Sequence, residues 1–237
     1  NVLLSATPID VADDLQETHF ASVQHTIFTS ATLSTGGNFS YFAQRLGLAP
    51  ETRTMSFPSP FDYANQTLLY IPEKTFPESQ GPGYTVALHE RIVELLNLSG
   101  GRALLLFTSV QAKDQAYQAL RDRVPFPLLL QGTEELESVL FAVASFWEGV
   151  DIPGEALSMV IIDKLPFEVP SDPVIMARIN KIRAAGGNPF FDFQVPRAVL
   201  GLRQGVGRLM RSRNDRGVMA VLDVRLFSKG YGKRFLQ

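Results

Sequence analysis

Between residues 67 and 223 the chain alternates short, continuously apolar segments with longer stretches striped at helical spacing. The apolar segments cover residues 67–71, 103–107, 126–130, 141–145, 157–162 and 217–223. Each has the length of a strand and lacks the in–out alternation of a half-exposed one. Between them Leu88, Ile92, Leu95 and Leu96 recur at i, i+4, i+7 and i+8, which gathers them on one helical face. Residues 111–123, 172–185 and 195–210 are predicted to be helices as well. Strands apolar on both faces require cover on both faces, and the architecture that provides it is a parallel sheet sandwiched between helices. The fold class predicted is therefore α/β.

Before residue 67 the pattern is less regular. A turn at residues 5–8 leads into a helical stretch ending near Phe20, and residues 25–33 are predicted to form a buried strand ending in small hydroxyl residues. Gly36 and Gly37 break the chain, a helix follows over Ser40–Leu46, and Gly47 closes it at its C-cap. Residues 57–61 are too rich in proline for regular structure, and residues 72–83 form a proline and glycine connection.

Composition excludes several classes. A chain of 237 residues, 45% hydrophobic and 19% charged, can bury a sizeable core. With no cysteine it holds no disulfide, no thiolate zinc site and no cysteine-bound iron–sulfur cluster. His19, His25 and His89 lack metal-ligand spacing, so no metal site is expected here. No apolar run approaches a membrane span, and the first residues carry no basic signal segment, which points to a cytoplasmic protein. The net charge is -2, but six arginines (197, 203, 208, 211, 213 and 216) fall within one short stretch against the single acid Asp215. That stretch is a local anion-attracting patch.

The patch contains Gln204-Gly205-Val206-Gly207-Arg208-Leu209-Met210-Arg211. As a helix it places Gln204, Arg208 and Arg211 on one face and Val195, Ala198, Val199, Leu202, Val206 and Leu209 on the other. Gly205 and Gly207 each cost a helix about 1 kcal/mol against alanine, so they fit a position that another backbone or a ligand approaches closely. Two guanidiniums one turn apart make a fork for a polyphosphate. An amphipathic surface helix with solvated arginines accounts for the same pattern.

In parallel sheets ligands sit beyond the carboxyl ends of the strands. The residues there read Thr29-Ser30-Ala31-Thr32, Thr108-Ser109, Gln131-Gly132 and Ser145-Phe146-Trp147-Glu148-Gly149-Val150-Asp151. Ser109 reads equally as the N-cap of the following helix and as a phosphate contact. Glu148 and Asp151, beside the only tryptophan and Gly149, make an unusual turn for solvated carboxylates.

Taken together, Phe28-Thr29-Ser30-Ala31-Thr32-Leu33, Leu105-Leu106-Phe107-Thr108-Ser109, Phe146-Trp147-Glu148-Gly149-Val150-Asp151-Ile152-Pro153-Gly154 and the stretch from Gln204 to Arg211 resemble helicase motifs III, IV, V and VI. Their order and spacing are similar to the XPD/DinG-like branch of superfamily 2, in particular its bacterial DinG and YoaA type. One departure is the short segment 133–145, where the family usually places a helix of several turns. Neither a Walker phosphate loop nor an Asp-Glu-x-His element occurs. The resemblance therefore implies a second RecA-like motor domain over residues 36–237, preceded at 1–35 by a tail of the first motor domain that carries motif III. The first motor domain would hold most of the ATP, its Mg²⁺ and the iron–sulfur cluster.

Carried over residue by residue, the resemblance implies that Arg208 and Arg211 are arginine fingers toward the γ-phosphate, with Gln204 positioning them or the attacking water. Glu148, Gly149, Asp151 and Gly207 would line the nucleotide side of the cleft. Thr108, Ser109 and Trp147 would meet single-stranded DNA, although a buried core indole fits Trp147 equally well. Ser30 and Thr32 would couple strand binding to hydrolysis. The function so implied is the C-terminal half of an ATP-dependent DNA helicase moving 5′ to 3′. The partners implied are single-stranded DNA, the first motor domain, and a replication or repair protein. A non-catalytic nucleic-acid or partner-binding module of a repair or replication protein is the alternative.

Overall fold

The computed structural model describes residues 6–131, 139–143, 157–168, 172–207, 209–210 and 214–236. Its centre is a six-stranded sheet of β1 (Thr67–Tyr70), β2 (Ala103–Phe107), β3 (Leu128–Leu130), β4 (Val139–Val143), β5 (Met159–Ile162) and β6 (Gly217–Val221). The strand order is β1-β6-β5-β2-β4-β3, and every pairing is parallel. The α/β class expected from the alternation is thus found.

Position in the sheet explains the apolar runs. All five residues of β2 are buried because strands flank it on both sides and helices cover it. At the edge, β1 leaves Leu68 59% exposed. Helix α4 (Tyr84–Ser99) buries Leu88, Ile92, Leu95 and Leu96, the four residues of the sequence stripe. Gly100 ends it in the left-handed region at φ 64°, and Gly101 follows at φ 82°. A Cβ on Gly101 would lie 2.6 Å from the Phe126 ring, so both backbone and packing require glycine there. Helix α5 (Val110–Leu120) begins at Ser109, whose hydroxyl oxygen accepts from the Ala112 N–H at 3.2 Å. The core inside the sheet and these helices includes the stacked rings of Phe107 and Phe141.

The chain divides into two compact units. The sheet unit comprises Pro58–Pro166 and Gly201–Leu236, including the short helices α3 (Tyr63–Gln66) and α8 (Arg225–Ser228). The other comprises Asn1–Phe57 and Phe167–Leu200 with the terminal residue. It contains α1 (Ala12–Leu15) running into a π-helical turn, α2 (Ser40–Leu46), α6 (Pro173–Ala184) and the first half of α7 (Val195–Val206). Gly47 closes α2 in the left-handed conformation at φ 64°, as expected. Asp172 caps α6 by accepting from the Val174 and Ile175 N–H groups at 2.7 and 3.1 Å. Within this unit Phe193 is buried between the Arg178 and Arg197 guanidiniums, 5.6 and 5.4 Å from its centroid, and Arg197 also pairs with Glu168.

Two expectations about local structure are corrected. Residues 25–33 form no strand, and Ile27 is 86% exposed. A strand exists only with a ladder partner, and the only isolated bridge among the described residues joins Thr35 and Asn38. The helix predicted over 195–210 stops at Val206. Gly205 and Gly207 weaken it, and Leu209 packs onto Gly217 at the start of β6, where a Cβ would meet its side chain at 2.5 Å. Leu209 and Met210 are buried without being helical. Of the expected helical face, Gln204 lies on α7, whereas Arg208 and Arg211 lie outside the described residues.

Candidate functional site

The chain leaves β2 toward β3 on one side of the sheet and leaves β5 toward β6 on the other. Connections diverging from neighbouring strands open a crevice at their carboxyl ends, the place where α/β sheets bind ligands. In this fold the crevice falls between Thr108, after β2, and Asp163, after β5.

Those two residues are bonded. Asp163 is 2% exposed, and its carboxylate accepts from the Thr108 N–H at 3.1 Å, the Thr108 hydroxyl at 3.2 Å and the Lys164 N–H at 2.8 Å. Burial pushes the Asp163 carboxyl up to about 7, against the pull of the Lys164 ammonium and of these donors. The buried Tyr84 hydroxyl, from the start of α4, donates to the backbone oxygens of Asp163 and Leu222 and so ties the ends of β5 and β6 together. Burial, followed by the Asp163 and Asp223 carboxylates, holds the Tyr84 phenol well above its ordinary value.

A second buried acid, Asp223, follows β6. Its carboxylate accepts from the Leu165 N–H at 2.9 Å and pairs with Arg225 at 2.6 Å. Each carboxyl-end loop of β5 and β6 is therefore held by an aspartate whose oxygens bond both main-chain and side-chain donors. Such loops are rigid supports for ligand contacts.

The residues proposed from the sequence fall into three groups. Thr108 and Ser109 stand at the crevice, but the Thr108 hydroxyl donates inward to Asp163. The Ser109 oxygen accepts the cap bond of α5, which leaves its proton available to a ligand. Gln204 is half-buried on α7, and Gly207 is exposed just beyond it, where a Cβ would come 3.3 Å from the Arg203 carbonyl oxygen. Ser30 and Thr32 belong to the other unit, with their hydroxyl oxygens 3.2 Å apart. Trp147, Glu148, Gly149, Asp151, Arg208 and Arg211 lie outside the described residues.

Sequence reasoning missed Asp163, Asp223, Arg225 and Tyr84. The signal for the two acids was present, since each is a lone carboxylate closing an apolar strand: Val160-Ile161-Ile162-Asp163 and Ala220-Val221-Leu222-Asp223. Nothing in the pattern around Tyr84 signals its bonds to the residues that follow two strands.

Residues 92–237 match the model of the helicase C-terminal domain. The chain belongs to the helicase C-terminal domain family. This helicase domain is 42% identical to the ATP-dependent DNA helicase YoaA of Haemophilus influenzae, across 99% of the chain and 38% of that protein. It is 40% identical to the ATP-dependent helicase DinG of Mycobacterium tuberculosis, across 98% of the chain and 37% of that protein. Among solved structures, an XPD helicase aligns with 96% of this chain at a TM-score of 0.70 and 17% identity, covering 44% of that chain. The likeness to XPD confirms the RecA-like fold, and the relatives bear out the resemblance read from the motifs. The chain spans less than two fifths of the length of these curated relatives.

Among the described residues, no group of His, Asp or Glu could hold a metal ion, and no helix is long and apolar enough to cross a membrane.

Proposed function

We propose that the chain is the second motor domain of a cytoplasmic ATP-dependent DNA helicase of the XPD/DinG type, acting with a first motor domain on single-stranded DNA. The observation that carries this reading is the helicase C-terminal domain match over residues 92–237. The names of the relatives support ATP use and DNA as substrate. Residues 1–35 would then be the tail of the first motor domain, and the exposed apolar run at 25–33 would complete a sheet there.

In this reading Arg208 and Arg211 reach the γ-phosphate and stabilise the charge that develops as water attacks, with Gln204 aligning them. Glu148, Gly149, Asp151 and Gly207 face the nucleotide. Ser109 donates its free hydroxyl proton to a DNA phosphate, Thr108 shapes the same groove through its bond to Asp163, and Trp147 stacks on a base. Ser30 and Thr32 relay strand binding to the nucleotide. The nucleotide's Mg²⁺ and the iron–sulfur cluster belong to the first motor domain, and 5′ to 3′ movement follows from the family resemblance.

The test is made in the parent protein. Arg208→Ala or Arg211→Ala should lower DNA-stimulated ATP turnover by about 10³- to 10⁵-fold while leaving single-strand affinity nearly unchanged. Wild-type turnover in the folded double variant would overturn the motor reading. The alternative is a nucleic-acid or partner-binding module of a repair or replication protein. A parent protein that binds single strands but hydrolyses no ATP would establish that alternative.

A further inference from the structure

On the sheet unit, a groove of about 740 Å³ lies at the amino ends of β1, β5 and β6, the edge opposite the crevice. Strands four to five residues long set the two edges about 15 Å apart. Aliphatic side chains make the floor: Leu68, Leu95, Leu98, Met159 and Val218. Leu98, 81% exposed, and Leu68, 59% exposed, carry this apolar surface out to solvent.

Three arginines line the groove, and they are not equivalent. Arg91 is neutralised by Glu73 and Glu94 and bonds the Tyr70 hydroxyl. Arg102 and Arg216 are exposed and have no acidic partner among the described residues. An apolar floor beside two exposed guanidiniums suits a ligand that is both aliphatic and anionic. The edge strand β1 adds a third feature. It pairs only with β6, so its outer main-chain groups have no ladder partner in the sheet and can receive an extended segment.

A nucleic acid fits these features poorly. The floor is aliphatic, and the one aromatic ring in the groove, Tyr70, already has the Arg91 guanidinium 5.7 Å from its centroid. Base stacking therefore lacks a free aromatic face. We propose that this groove binds an extended peptide segment of a partner protein, with aliphatic side chains on the floor and carboxylates on Arg102 and Arg216. The inference is independent of the helicase reading, because it uses only the opposite edge of the sheet.

The probe is a fluorescein-labelled peptide of alternating leucine and aspartate, which as a strand presents leucines on one face and carboxylates on the other. Its anisotropy is titrated with the full 237-residue chain, and a labelled single-stranded oligonucleotide is titrated in parallel. The peptide should bind, more weakly as salt rises. Arg102→Glu with Arg216→Glu should weaken it at least roughly tenfold, and Leu98→Ser should also weaken it. All three sites are exposed, so the variants should keep the wild-type circular dichroism.

Oligonucleotide affinity should be unchanged by Leu98→Ser and by saturating peptide. The absence of binding up to the solubility limit of the chain would overturn the proposal, as would a peptide affinity indifferent to the three substitutions. Displacement of the oligonucleotide by the peptide would reassign the groove to nucleic acid. Peptide binding to the isolated chain but not to the parent protein would assign it to a segment of the parent and overturn the partner reading.

Discussion

Asp163→Asn probes the buried carboxylate that joins the two strands flanking the crevice. In the wild type this carboxyl is raised from 3.8 to about 7, chiefly by burial. A difference of that size corresponds to about 4 kcal/mol between the two protonation states. The sign follows from linkage. Between these pH values the native state holds the proton more firmly than the unfolded chain, so the contribution to stability is greatest below about pH 4. It is lost as pH rises through about 7. From pH 5 to pH 8 the loss from this group alone amounts to about 2–3 kcal/mol.

Asparagine can still accept the Thr108 and Lys164 N–H groups, and its amide can donate to the Thr108 oxygen, so the network survives without a titrating group. Urea unfolding followed by circular dichroism, at several pH values between 5 and 8, measures the difference. The stability of Asp163→Asn relative to wild type should rise by about 2–3 kcal/mol across that range. Parallel pH profiles for the two proteins would refute the account of a carboxylate strained by burial. A variant that failed to fold at pH 5, where the wild-type group is protonated and neutral, would refute the survival of the network.

Ser109→Ala should cost about 1 kcal/mol in the same urea assay by removing the α5 cap, and Ser109→Asp, which restores an acceptor, should recover most of it. Gly101→Ala should cost about 2–4 kcal/mol, because it places a Cβ 2.6 Å from the Phe126 ring at a φ of 82°. A loss below about 1 kcal/mol would mean that the ring moves freely and the packing there is loose.

The sequence alone determined the α/β class, because strands apolar on both faces have few solutions other than a helix-covered parallel sheet. It also determined α4 through its stripe and the glycine closing α2, features whose physics acts over one or two helical turns. The family was legible because its motifs are short and contiguous. What sequence periodicity could not determine was anything requiring a second stretch of chain. The run at 25–33 has strand composition but no ladder partner among the described residues. Likewise, α7 ends early because Leu209 packs on Gly217, a contact no local pattern encodes. The importance of Asp163 depends on β5 lying beside β2, and that of Tyr84 on β5 lying beside β6. Local propensity sets which elements form. The order of strands in the sheet, fixed by packing between distant segments, decides which side chains meet at its edges.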